Sequence, residues 1–276
     1  MNIENFVMDS TQREMISALL NSKQNVILTG PTGSGKTSFC YALADKLSMN
    51  PVVINLGSTQ DARAALLGSY SLREGNTSFE ESDFLKAVRT PNTLVVLDEI
   101  SRASSDAMNI LFPLLDGRRE IRVEEKDGGT REIAVASGVR FIATANIGAE
   151  YSAARSIDRA LLDRFMVFQL PYLNESELIG VILDKYDLSE KAIKTVSNLA
   201  KVYTHALSLY NENKVRTRLS PRTIISAAAL ANDFSVVEIC DNVIYPMFSG
   251  NGGVANEQTR LREFVDSYSL DAPVCF

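Results

Sequence analysis

The chain has 276 residues, 45% of them hydrophobic and 22% charged, the balance of a globular chain with room for one large domain or two modest ones. Its net charge of -6 and pI near 5.0 speak against nucleic acid as a partner, because that binding rests on many neutralised phosphates. Cys40, Cys240 and Cys275 form no C-x-x-C pair and His205 is the single histidine, so zinc has almost no ligands and reduced thiols are expected.

The opening "MNIENFVMDS" carries neither the basic stretch nor the apolar run of a secretory leader. No apolar run approaches the ~18 residues of a membrane span, so a soluble, cytoplasmic chain with no membrane contact is expected. "NFVMDSTQREMISALLNSKQ" then offers one amphipathic helix, with Asp9 or Ser10 as N-cap. No separate substrate-recognition domain ahead of the first strand is therefore expected.

Strand-like apolar runs recur at "NVILT" (25–29), "PVVINL" (51–56), "TLVVLD" (93–98), "VRFIATA" (139–145) and "RFMVFQL" (164–170). Helical or loop stretches separate them, and this alternation predicts an α/β unit over 1–171: a parallel five-stranded sheet with helices on both faces. After Pro171 the periodicity is helical throughout, in "ESELIGVILDKY", "SEKAIKTVSNLAKVYTHALSLY", "SPRTIISAAALAND" and "VVEICDNVIYPMF". A small all-helical subdomain over 172–276 is expected, with one more short helix in "NEQTRLREFVDSY" before the tail.

The first strand runs into "GPTGSGKTS", that is Gly30, Pro31, Thr32, Gly33, Ser34, Gly35, Lys36, Thr37 and Ser38. Gly30, Gly35, Lys36 and Thr37 satisfy the G-x-x-x-x-G-K-[ST] pattern of a phosphate-binding loop. In such a loop glycines let backbone N–H groups wrap phosphate oxygens, and a helix starting near Lys36 turns its positive end toward them. Lys36 is expected to reach the β/γ-phosphates and Thr37 to ligate Mg²⁺.

Downstream, "TLVVLDEIS" ends a strand in Asp98-Glu99, placing two carboxylates at the carboxyl edge of the sheet where the glycine loop also opens. Asp98 is expected to hold Mg²⁺ through water and Glu99 to polarise the attacking water. "FIATAN" brings Asn146 to the same edge, where its amide can orient that water or simply close the strand into a turn. "RSIDRALLDRF" carries Arg155, Arg159 and Arg164. They are either a solvated helix face or a source of the positive charge that phosphoryl transfer needs, which an arginine finger supplies at about 10³–10⁵ in rate.

With these elements in this order the chain resembles the AAA+ ATPases, and within them the MoxR-like group that includes CbbQ/NorQ-type activators and chelatase motor subunits. In that comparison "GPTGSGKT" is similar to Walker A, "LVVLDEI" to Walker B, Asn146 to sensor 1, and "RALLDRF" to the motif whose last arginine, Arg164, is the finger. Arg222 in "LSPRTI" resembles sensor 2, chosen among Arg216, Arg218 and Arg222 because it alone follows a Ser-Pro helix start. Arg159 is a second candidate for action in trans, and Arg155 has no assigned role.

Two further stretches narrow the resemblance. "GSYSLREGNTSFEESDFLKAVRTPN" resembles the helix-2 insert, at about 68–82, and "REIRVEEKDGGTREIAVASGVRF" the hairpin before sensor 1, at about 119–136. The second is a hairpin candidate on its residues alone, since "EIRVE" and "REIAVA" alternate around the turn "KDGG".

The resemblance implies ATP with Mg²⁺, a hexameric ring of identical chains, remodelling of a client protein, and a partner carrying a von Willebrand A-type domain. Two other readings stand beside it: a nucleic-acid motor, drawing on Arg118, Arg119 and Arg122, and a nucleotide-gated scaffold that barely hydrolyses. Nothing in the glycine loop reads the base, so ATP over GTP rests on the resemblance.

Overall fold

The computed structural model describes residues 8–58, 61–73, 76–124, 130–146, 159–251 and 256–267. They form two units: one runs to Pro31 and from Gly35 to Pro171, the other joins Thr32–Ser34 to the residues from Tyr172 onward.

In chain order the first unit begins with α1 (Ser10–Asn21), β1 (Val26–Gly30), α2 (Lys36–Lys46), β2 (Asn50–Asn55), α3 (Ala62–Leu66), β3 (Gly68–Arg73) and β4 (Asn76–Glu81). It continues with α4 (Asp83–Arg89), β5 (Thr93–Asp98), α5 (Ser105–Leu115), β6 (Glu120–Glu124), β7 (Thr130–Ala134), β8 (Arg140–Asn146), α6 (Arg159–Leu162) and β9 (Met166–Gln169). The main sheet has the order β2-β5-β8-β1-β9, with every pairing parallel. The five-stranded parallel sheet read from the sequence is therefore present.

Successive side chains of a strand point to opposite faces, so these strands need apolar residues at nearly every position. Val26, Leu28, Leu94, Val96 and Ile142 pack with Ile16 and Leu20 of α1 and Phe39 and Leu43 of α2. The alternate residues, Ile27, Val95, Leu97, Phe141 and Ala143, pack with Leu85 and Val88 of α4 and Leu111 and Leu114 of α5. Each fully buried Leu, Ile or Phe contributes about 1.5–3 kcal/mol, so these two clusters hold the sheet between its helices. The N-cap of α1 is Asp9, which makes no side-chain capping bond, and Ser10 is already helical.

The stretch expected as the helix-2 insert is an antiparallel ribbon of β3 and β4, with Tyr70 and Phe79 paired across it at 5.2 Å between ring centroids. The second insert pairs β6 with β7, so that Ile121, Val123 and Ile133 face the core while Arg122 and Glu132 form an ion pair at 2.8 Å on the other side. Its expected turn "KDGG" lies outside the described residues. Glu81, at the end of β4, accepts from Arg89 of α4, whose Nη1 is shared between its two carboxylate oxygens at 2.6 and 2.8 Å, and from Arg131 of β7 at 2.9 Å.

The second unit is helical: α7 (Glu175–Lys185), α8 (Glu190–Asn211), α9 (Pro221–Ala227), α10 (Val236–Ile239) and α11 (Glu257–Ser267). Ala192, Val196, Leu199, Tyr203 and Ala206 recur at helical spacing along α8 and are all fully buried. The run "VVEICDNVIYPMF" differs from a plain helix: α10 opens into a π turn over Cys240–Ile244 and a 3-10 turn over Tyr245–Met247. Pro246 has no N–H to give and its ring crowds the preceding turn, which breaks the ladder there.

Glu257 opens α11 and receives the backbone N–H groups of Arg216, of Thr217 at 3.2 Å and of Ser249 at 3.1 Å. Partial burial works against its charge, yet these donors win and hold its carboxyl below the usual carboxylate range. A depressed carboxylate stabilises the fold above the unfolded value and loses that contribution as pH falls through the folded one. Glu257→Gln is therefore expected to weaken this unit by about 1–2 kcal/mol at neutral pH, because solvent screens a partly exposed carboxylate, and to flatten its loss of stability in acid. Hydrogen exchange at Arg216, Thr217 and Ser249, followed from pH 7 downward, checks both.

Candidate active site

The register of the sheet assembles the site. Gly30 pairs with Asn146, Leu97 with Ala143, and Asn55 with Asp98, so the last residues of β1, β8, β5 and β2 share the carboxyl edge. Gly30 ends β1 at φ 149°, and a Cβ there would lie 2.6 Å from the Leu170 carbonyl oxygen, so no other residue fits where the chain leaves the sheet. Gly35 is the N-cap of α2 at φ 82°, left-handed, and provides no side-chain cap. The first N–H groups of α2 have no partner within the helix, an arrangement suited to an anion.

Lys36 is buried, and its Nζ donates to the carbonyl oxygens of Gly30 at 3.0 Å and Pro31 at 2.7 Å, spanning the loop it belongs to. Thr37 Oγ1 donates to Asp98 Oδ1 at 3.0 Å. Its proton is thereby spoken for, and its lone pairs remain for a cation. A hydroxyl and a carboxylate oxygen are hard donors of the kind Mg²⁺ prefers, so Thr37 and Asp98 fit that ion. Ser38 lies exposed on the first turn of α2, and Thr32, Gly33 and Ser34 belong to the second unit. Cys40 is buried nearby, and burial first, with the Asp98 charge second, pushes its thiol up, so it stays neutral and unreactive.

Glu99 follows Asp98 with φ 55° and ψ 40°, a left-handed conformation that costs a glutamate about 1–3 kcal/mol. The Glu99 N–H donates to Thr144 Oγ1 at 3.1 Å and its carbonyl accepts from the Arg102 N–H at 2.9 Å, which holds it there. Its carboxylate pairs with Arg102 Nη1 at 3.3 Å and lies so close over Gly57 that a Cβ on Gly57 would collide with it. Thr144, 2% exposed on β8, also donates to Asp98 Oδ1 through a short hydrogen bond. The sequence reading missed Thr144, since a threonine inside an apolar strand has no outward signal beyond β propensity.

The arginines fall in different places. Arg164 directs its guanidinium over the Phe112 ring of α5 at 4.4 Å and donates Nη1 to the Ala160 carbonyl at 2.6 Å. Its backbone carbonyl is held by buried Asn25, whose amide also reaches the Leu115 carbonyl at 2.7 Å. Arg159 is exposed at the start of α6, and Arg155 lies outside the described residues. Arg222 is exposed at the start of α9, where the position of a Cβ on Gly33 would be 3.2 Å from its backbone nitrogen. Arg218 stacks on Tyr172 at 4.3 Å, and the Arg216 N–H caps Glu257.

The arginines that suggested nucleic acid are engaged within the chain. Arg118 pairs with Asp116 at 2.7 Å, Arg122 with Glu132, and half-buried Arg119 donates to the Val139 carbonyl at 2.8 Å above the Phe141 ring. Burial, and then the charge of Arg140, lowers the affinity of Arg119 for its proton.

A parallel sheet flanked by helices, with a glycine loop entering a helix at its carboxyl edge beside a strand-ending Asp-Glu, defines the P-loop nucleotide-binding fold. The model of the AAA domain, dynein-related subfamily, matches residues 25–165, and the chain belongs to this family of AAA+ ATPases. The chaperone-named BssE of Thauera aromatica is 34% identical over 152 residues, 54% of this chain and 51% of BssE. Midasin of Dictyostelium discoideum is 30% identical over 185 residues, 66% of this chain and 3% of midasin. The chain thus spans about half the length of BssE and a small part of midasin. Among solved structures, NtrX from Brucella abortus in complex with ADP aligns with a TM-score of 0.55 over 93% of this chain and 59% of its own, at 17% identity, a likeness of fold.

Proposed function

We propose that the chain hydrolyses ATP and uses the cycle, as a ring of identical subunits, to remodel a partner protein in the manner of MoxR-like ATPases. The observation that carries this reading is the bond from Thr37 to Asp98 beside Glu99, which unites the glycine loop and the acidic strand end in one oxygen-rich edge. The α2 amides and Lys36 bind the phosphates. Thr37 and Asp98 would hold Mg²⁺, which would supply charge neutralisation on the phosphates. Glu99 takes the proton of the attacking water, Asn146 orients that water from the end of β8, Arg222 contacts the γ-phosphate, and Arg164 serves a neighbouring subunit.

The chaperone name of BssE supports a protein client, and a von Willebrand A-type partner is proposed on the resemblance to the MoxR-like group. ATP and GTP hydrolysis measured against protein concentration, with the mass determined in parallel, tests the reading. Specific activity rising steeply as the ring forms, with ATP preferred, is the expected result. Concentration-independent hydrolysis by a monomer would remove Arg164 from the mechanism, and nucleotide binding without phosphate release in the assembled state would favour the scaffold.

A further inference from the structure

We propose that Thr144 is a positioning residue that sets both strand-end carboxylates through one hydroxyl, an assignment that rests on the hydrolase reading above. A threonine hydroxyl has one proton to give and lone pairs with which to accept. Here the proton goes to Asp98 Oδ1 in a short hydrogen bond, and a lone pair receives the Glu99 N–H at 3.1 Å. Both bonds are sheltered, since Thr144 is 2% exposed.

The two contacts have different consequences. Asp98 Oδ1 accepts a second hydrogen bond, from Thr37 Oγ1 at 3.0 Å, so its orientation is fixed by one donor at the start of α2 and one from β8. Partners of a metal ligand that are themselves hydrogen-bonded in this way tune its geometry and basicity. The other contact anchors the backbone of Glu99, held at φ 55° by its bonds to Thr144 and Arg102, and so fixes where its carboxylate can begin its reach. Thr144 lies two residues before Asn146 on β8, so one strand end positions three polar groups at the site.

Thr144→Val keeps the shape and removes the hydroxyl; Thr144→Ser restores it without the methyl group. The probe is a fluorescent non-hydrolysable ATP analogue, bound to the full chain in excess EDTA and then titrated with Mg²⁺. Thr144→Val is expected to match the wild type in EDTA and to need about 10–100-fold more Mg²⁺ for half-maximal tightening, as removal of such supporting partners does elsewhere. Thr144→Ser is expected to return the wild-type Mg²⁺ dependence. In hydrolysis with saturating Mg²⁺, Thr144→Val is expected to lower kcat while KM for ATP holds.

An unchanged Mg²⁺ dependence in Thr144→Val overturns the assignment, and so does a serine variant as impaired as the valine one. An equal loss of affinity in EDTA also overturns it, because that marks general loosening of the phosphate loop. Should the valine variant not fold, Thr144→Ala takes its place in the same titration. A wild-type chain that binds no analogue at all removes the hydrolase reading itself, and this assignment with it, and that outcome is distinct from the others.

Discussion

Replacement of Glu99 by Gln is expected to cut ATP turnover by about 10²–10⁴-fold, the usual contribution of a positioned general base, while nucleotide binding stays at the wild-type level. The amide keeps the size of the side chain and loses its basicity. It also loses the charge that pairs with Arg102, but that pair is 41% and 31% exposed, so its loss costs the fold about 0–1 kcal/mol. The backbone of Glu99 is held by Thr144 and Arg102, and the amide leaves those bonds in place. Single-turnover phosphate release beside equilibrium binding of a labelled nucleotide separates the two effects. Near-normal turnover in the variant would take the base role away from Glu99.

Arg164→Ala is expected to lower hydrolysis by about 10³–10⁵-fold in the assembled state, the range of an arginine finger, with little change in nucleotide affinity. Its contact with Phe112 contributes about 0.5–2 kcal/mol, so a purely structural arginine would show as a modest drop in melting temperature with activity kept. Arg164→Lys is expected to fail nearly as badly, because an ammonium lacks the planar fork. Mixing decides whether the arginine acts across subunits. In the proposed ring, Arg164→Ala and Glu99→Gln chains together would build some sites from an intact Glu99 and a neighbour's intact Arg164, so activity is expected to return on mixing two inactive proteins. No recovery would place Arg164 within its own subunit's chemistry or outside the reaction.

Much of this architecture was legible because buried parallel strands leave a strong mark. "TLVVLD" and "FIATAN" can be apolar at nearly every position only when both faces are covered, and both faces are: Leu94 and Val96 on one side, Val95 and Leu97 on the other. The glycine loop was legible for a different reason, since the close approach of Gly30 to Leu170 and the left-handed backbone of Gly35 restrict which residues can stand there. What escaped the reading depends on register between distant strands. Thr144 meets Asp98 across β8 and β5, Asn25 reaches Leu115 and Arg164, and Gly57 passes beneath Glu99; none of these pairings has a fixed spacing along the chain. The π turn after α10 escaped because helical periodicity alone does not tell an α turn from a wider one, even where Pro246 forces the difference.

The shared carboxylate of Glu81 makes one mechanical object of three segments. Arg89 roots the contact in a helix that packs on the sheet, while Arg131 brings in the ribbon of β6 and β7, and Glu81 itself ends the ribbon of β3 and β4. A load on either ribbon is divided between them through that carboxylate and passed down to α4. The joint is ionic and only partly exposed, and its contacts of 2.6 and 2.9 Å lie within even the Debye length of about 3 Å at 1 M, so salt weakens it without dissolving it. Glu81→Gln is therefore expected to loosen both ribbons at once, read as faster hydrogen exchange in each.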